Sequence, residues 1–143
     1  MTIRGINFGS IVVAGFVGAY LMFFVDHWFA GMWGLFGLFP GTSNPWWLLE
    51  HHIDGIIFAL LFAWPPIYHM LPGPGWFKGT LFFFVWGVAY LIVQLVAGAW
   101  GAHSFKMIPF TWPIVISALL LHPIYGFFVG AIYNAPSKEA ATA

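Results

Sequence analysis

The chain has 143 residues, 62% of them hydrophobic and 6% charged, with four Lys/Arg against four Asp/Glu and no cysteine. A soluble domain carries about 25% charged residues, so this chain has too few to coat a water-exposed surface. The balanced charge leaves no footprint for nucleic acid, and the lack of cysteine excludes disulfides, iron–sulfur clusters and thiol catalysis.

Aromatic residues reach 22%, with nine Trp and seventeen Phe. Many stand near the ends of apolar runs, as in an interfacial belt. A hydrocarbon core of about 30 Å needs roughly twenty apolar residues per helix, and the chain has room for four such helices. The first expected span covers residues 8–29, a retained helix and not a cleaved signal, since no small-residue cleavage pattern follows it. Its Gly9, Ala14, Gly15, Gly18 and Ala19 would let another helix approach closely. The apolar, Gly- and Phe-rich segment 31–39 is too short to cross, so it reads as interfacial or re-entrant. Pro40 to Pro45 is a loop, with Asn44 as N-cap and Pro45 in the first turn of the next helix.

The second span is expected over 45–71, kinked or interrupted at Pro65-Pro66. The turn Pro72-Gly73-Pro74-Gly75 makes an antiparallel hairpin with a third span over 80–100. A short loop leads to a fourth span over 109–133, with Pro113 and Pro123 inside it, and the polar tail 134–143 is expected to fray. No internal repeat stands out, and neither half mirrors the other as an inverted-repeat transporter would. The fold class read from this pattern is an all-α membrane protein, one domain over 1–143, with four transmembrane helices in an antiparallel bundle. Arg4, Lys78 and Lys138 then share one face and Lys106 lies on the other. The positive-inside rule thus favours a multi-pass protein of the cell inner membrane with both termini cytoplasmic.

Ionisable groups inside such a chain are costly and face a partner, a cavity or a metal. Asp26, His27, Glu50, His51, His52, Asp54 and His103 all fall toward the outer face. Glu50 and Asp54 are four apart and His51 and Asp54 three apart, so these share one side of the second helix, while His52 points about 100° away. Asp54, the deepest carboxylate, should need a partner in His51 or the first helix. Three readings compete for the cluster. The first is an interfacial polar network. The second is a transition-metal site using His27, Glu50, His51, His52, Asp54 and His103, since nitrogen and carboxylate ligands suit zinc, copper or iron. No tight motif such as H-E-x-x-H supports it. The third is a proton or quinone site built on a His–carboxylate pair.

His122, counted from residue 109, lies about 20 Å along the fourth helix, apart from the other histidines. An internal bis-histidine haem is therefore not expected. Tyr90, Gln94 and His122 read as structural polar residues, with Tyr90 the nearest partner for His122 and Gln94 bonding across helices. His69, beside Tyr68 and Met70, reads as an interfacial anchor. Gly126-Phe127-Phe128-Val129-Gly130 is a G-x-x-x-G motif permitting close helix contact, with a partner in this chain or another.

The stretch His51-His52-x-x-Gly55, the aromatic helix after it and the Pro-Gly turn leading to Lys78-Gly79 resemble a loose group of small four-helix bacterial membrane proteins. Some of these are associated with respiratory electron-transfer genes. The likeness covers about two thirds of the chain and transfers no catalytic residue. It implies an accessory role in an energy-converting complex. The function expected is a small accessory subunit of a respiratory or photosynthetic membrane complex, in contact with the lipid bilayer and other integral subunits. A metal-binding membrane protein or enzyme is the alternative, and a small carrier or channel the next. The apolar stretches 56–63 and 82–89 argue against a continuous water path.

Overall fold

The computed structural model describes residues 2–26, 45–101 and 111–137. His27, His103, Lys106, Lys138 and the 31–39 segment lie outside the described residues. Strands β1 (Thr2–Ile3) and β2 (Ile6–Asn7) form a small antiparallel hairpin, Thr2 opposite Asn7 and Ile3 opposite Ile6. Its turn residues Arg4 and Gly5 both have positive φ, 50° and 75°, as a two-residue hairpin turn of this hand requires. Everything else of regular structure is helical: α1 (Phe8–Phe24), α2 (Pro45–Ala63), α3 (Pro65–Met70), α4 (Gly75–Ala99) and α5 (Trp112–Ile132).

Local chemistry sets these boundaries. The Asn7 side chain caps α1 by accepting from the Ser10 N–H at 3.4 Å. Pro65 disfavours helical backbone in the residue before it, and Trp64 accordingly turns extended, with φ −59° and ψ 123°. The expected 45–71 span is thus two helices. Gly73, at φ +85°, makes the turn, and the Pro74 carbonyl accepts from the N–H groups of Phe77 and Lys78 at 3.0 Å each. The next helix therefore starts at Gly75, five residues before the expected position 80. Thr111 precedes α5, which has a proline in its first turn and Pro123 in its interior. That helix begins three residues later than expected.

Among the described residues, two helices are long and apolar enough to cross a membrane. The mean hydropathy of an 18-residue window is 2.1 within Gly75–Ala99 and 1.9 over Val115–Ile132, while α1 is apolar but has 17 residues.

The helices meet along seams of small residues. A Cβ on Gly15 would stand 2.9 Å from the Ala59 Cβ, and one on Gly55 would stand 2.7 Å from the Ala19 Cβ. Gly15-x-x-x-Ala19 of α1 thus faces Gly55-x-x-x-Ala59 of α2 in opposite sense. The α4–α5 seam is tighter: Gly79 lies against the Gly126 carbonyl and Gly75 against the Gly130 carbonyl, leaving no room for a Cβ. The partner of the G-x-x-x-G motif is therefore α4 of the same chain. Gly18 packs on Val129 and Tyr125, joining α1 to α5.

Backbones of α1–α2, α1–α5 and α4–α5 are in close contact, whereas α2 and α4 are not a closely packed pair. Aromatic side chains fill part of that gap, with Phe62 of α2 at 5.7 and 6.0 Å from the rings of Phe82 and Phe83, and Phe58 at 5.0 Å from Trp86.

At the start of the tail expected to fray, Asn134 is held, while residues 138–143 lie outside the described residues. The Asn134 N–H donates to the Ser10 hydroxyl at 2.7 Å, and Asn7 Nδ2 donates to the Asn134 carbonyl at 3.2 Å. Tyr133 is buried.

Replacing Gly79 by leucine should separate α4 from α5 and cost about 1–3 kcal/mol or more, the range for overpacking. Gly9→Ala, with nothing within 4 Å of the added carbon, should be neutral or stabilise by up to about 1 kcal/mol. Thermal unfolding in detergent, followed by circular dichroism, reads both, and equal stability of the two variants would refute the seam.

Candidate ligand cavity

A cavity of about 450 Å³ lies among α1, α2, α4 and α5, within the 300–1,000 Å³ range of small-molecule sites. Its polar lining gathers residues far apart in sequence: Asp26 just beyond α1, His51 and Asp54 of α2, Tyr90 of α4, and His122 and Tyr125 of α5. Phe23, Phe58, Phe83 and Trp86 line its apolar part. Asp54, Ala89 and Val93 are exposed as well as lining, so the mouth opens on the side where α2 and α4 do not close on each other.

Each histidine of this region is oriented by a carbonyl. His51 Nε2 lies 3.0 Å from the Ala19 carbonyl across the α1–α2 seam. His122 Nδ1 lies 2.7 Å from the Ala118 carbonyl, one turn back in its own helix. A carbonyl can only accept, so the ring nitrogen donates in each case. Gly87 makes room for this arrangement, because a Cβ there would stand 3.1 Å from the His122 Cβ and 3.0 Å from the Ala118 carbonyl. The Tyr125 hydroxyl donates to the Gly55 carbonyl, and its ring packs edge-on to Phe83 at 4.5 Å.

The expected polar residues divide. Asp26, His51 and Asp54 line the same cavity, but Asp54, expected to be the deepest carboxylate and to need a partner, is exposed at its mouth. His52 points elsewhere: its Nδ1 donates to the Leu48 carbonyl at 2.7 Å, and its ring packs 4.8 Å from Phe16 and 6.2 Å from Tyr20. Glu50 is exposed. Among the described residues, no three His, Asp or Glu side chains are grouped to hold a metal ion. The six-residue ligand set of the sequence reading is thus not brought together there, with His27 and His103 outside the described residues.

His122 requires a correction. It was placed apart from His51 by depth, yet both line one cavity. The helix starts at Trp112 and not at 109, so His122 lies about 4.5 Å nearer the polar end than counted. The argument from depth against paired histidines therefore fails. Tyr90 does approach His122, ring to ring at 5.9 Å, but the imidazole N–H goes to Ala118. Gln94 is buried.

Sequence reading also missed a repeat. His51, Gly55, Ala59 and Phe62 recur 71 positions later as His122, Gly126, Gly130 and Tyr133. The structural roles match: a cavity histidine, two small residues on the neighbouring helix and a buried aromatic. Repeat-related positions even touch, Phe62 to Tyr133 at 6.3 Å. The spacing H-x-x-x-G-x-x-x-[AG]-x-x-[FY] was visible in the chain and would have paired His51 with His122.

No family model, curated protein or solved structure matches this chain.

Tyr125→Phe keeps the ring contact with Phe83 and removes the hydroxyl that bonds to the backbone of α2. It should lower stability by about 1 kcal/mol, the net value of one hydrogen bond. Chemical unfolding in mixed micelles checks this; an unchanged midpoint would show that the hydroxyl does not tie α5 to α2.

Proposed function

We propose that the chain is a small integral membrane protein in which α1, α2 with α3, α4 and α5 make four spans, serving as an accessory subunit of a membrane energy-converting complex. The observation that carries the membrane reading is where the apolar surface lies. The 18-residue apolar windows of α4 and α5 are only 22% and 39% buried inside the molecule. Val13, Phe16, Ile57, Val85 and Ile92 are each about half exposed or more. Apolar surface on this scale, on every helix, calls for lipid or neighbouring subunits.

Two further facts support the assignment as a subunit. Trp64, Trp76 and Met70 are exposed at the α3–α4 end and Trp46, Trp100 and Trp112 at the other, as anchors at two interfaces would be. Among the described residues a cavity of about 450 Å³ carries histidines and carboxylates in its lining, and intramembrane groups of this type handle protons or bind ligands. The expectation of an inner-membrane location with cytoplasmic termini belongs to the same proposal.

The absence of cysteine makes a direct test clean. Single cysteines at Thr2, Pro72 and Ser137 should react with an impermeant maleimide from one side of sealed vesicles, and those at Ser43 and Ser104 from the other. Reaction of Pro72→Cys and Ser43→Cys from the same side would refute four spans. Mild native electrophoresis of tagged protein should find it moving with a redox-active assembly; recovery as a free monomer alone would refute the subunit assignment.

A further inference from the structure

Asp54 stands at the cavity mouth without a protein partner. Among the described residues no hydrogen bond or ion pair holds it, and His51, three positions before it, turns its Nε2 to the Ala19 carbonyl. Counted from the start of α2 at Pro45, Asp54 lies about 14 Å along the helix. The exposed Ile53 and Ile92 stand next in sequence to the mouth residues Asp54 and Val93, so in a bilayer this side faces acyl chains. A carboxyl group there is costly in either protonation state. The ionised form lacks a counter-charge, and the neutral form lacks an acceptor for its O–H.

The walls restrict what an occupant can be. Phe58 follows Asp54 by one helical turn, so both lie on one side of α2. Trp86 of α4 packs 5.0 Å from Phe58, ring centre to ring centre, and Tyr90 follows Trp86 by one turn. Phe23 and Phe83 add two more aromatic side chains to the lining. Aromatic ring faces are negative, so they attract a cation and repel an anion.

Arg4 and Lys78 are the arginine and lysine among the described residues, and neither lines the cavity. Lys78 donates instead to the Tyr68 carbonyl at 3.0 Å. No permanent cation is therefore in place, among the described residues, to pair with Asp54 or to hold an anionic ligand. A bound cation favours the carboxylate of Asp54 and the neutral imidazoles of His51 and His122. None of these states has to exist in the empty cavity. A bare metal ion does not suit the lining, since no three described His, Asp or Glu side chains are grouped to hold one.

We infer that the cavity binds a lipophilic organic cation, which enters from the bilayer between α2 and α4, pairs with Asp54 and packs against Phe58, Trp86 and Tyr90. The ligand class is a quaternary ammonium, a phosphonium or a similar centre shielded by apolar groups. The inference concerns binding alone and goes beyond the subunit assignment. It rests on the membrane reading, which the cysteine-labelling experiment tests separately: four spans without binding refute the site and leave the spans standing.

Full-length protein in phosphatidylcholine nanodiscs is titrated by equilibrium dialysis with tetraphenylphosphonium and with tetraphenylborate, a cation and an anion of one shape. Protein-free nanodiscs give the background. Saturable binding of the cation is expected, about tenfold or more tighter than the anion. Asp54→Asn, at an exposed position, should weaken the cation about tenfold, the loss of one partly screened charge pair, while Asp54→Glu keeps it. Trp86→Leu should weaken it about threefold. Equal binding by the native protein and Asp54→Asn overturns the proposal, as does tighter binding of the anion. Absence of saturable binding by either probe overturns the site. Equal competition from uncharged tetraphenylmethane, added with the lipid, overturns it in favour of an apolar void.

Discussion

The contact on which the structure depends is backbone against backbone at Gly75, Gly79, Gly126 and Gly130. In the bilayer proposed for this chain, apolar helices have no hydrophobic driving force between them, so their association would depend on close van der Waals packing and a few polar contacts. Removing the side chain on both partners at two successive turns lets α4 and α5 approach until each helix touches the other's carbonyls. The α1–α2 seam at Gly15, Ala19, Gly55 and Ala59 does the same with two alanines in place of two glycines. Two clamped hairpins result, joined through α1 and α5 at Gly18. The remaining side, between α2 and α4, has no such seam. Phe62 and its aromatic neighbours fill it in one part, and the cavity occupies it in another.

A spacing of four positions shared by α2 and α5 places one histidine of each helix at the cavity. Gly55 contacts Tyr125 and Phe62 contacts Tyr133, so α2 and α5 run in the same direction with repeat-related positions facing. His51 and His122 then occupy equivalent places on opposite walls. The two halves are not copies in detail. Position 54 is an aspartate where 125 is a tyrosine, and that tyrosine spends its hydroxyl on the backbone of the other half. The shared spacing thus brings two imidazoles to one cavity, and the difference between positions 54 and 125 supplies a carboxylate on one helix and a structural tie on the other.

Much of the secondary structure could be read from local rules. Pro65-Pro66 broke the helix where proline must, and the Pro72–Gly75 turn fell where expected. The side of α2 shared by His51 and Asp54, and the departure of His52 from it, followed from the helical period. The parts that were not legible depend on register between helices. A three-residue shift in the start of α5 moves His122 by nearly a full turn, enough to separate it from His51 on paper and join them in space. The partner of Gly126-x-x-x-Gly130 was equally open, because the motif states that a backbone comes close and not whose it is. Gly75 and Gly79, the answering pair, looked like parts of a turn because α4 was started too late.

The histidines and carboxylates of this chain need not share one purpose. An imidazole in an apolar interior is costly unless its N–H finds an acceptor, and His52 meets that need within its own helix while its ring packs on Phe16. That is a scaffold residue. His51 and His122 have their N–H groups satisfied as well, but both border an open volume. Filling that volume with side chains would have been the simpler way to stabilise four packed helices. Instead Gly87 is kept small beside His122, and Asp54 stands at the mouth where any larger apolar residue would bury more surface. A structure that orients two imidazoles by carbonyls and then leaves space in front of them has the features of a site.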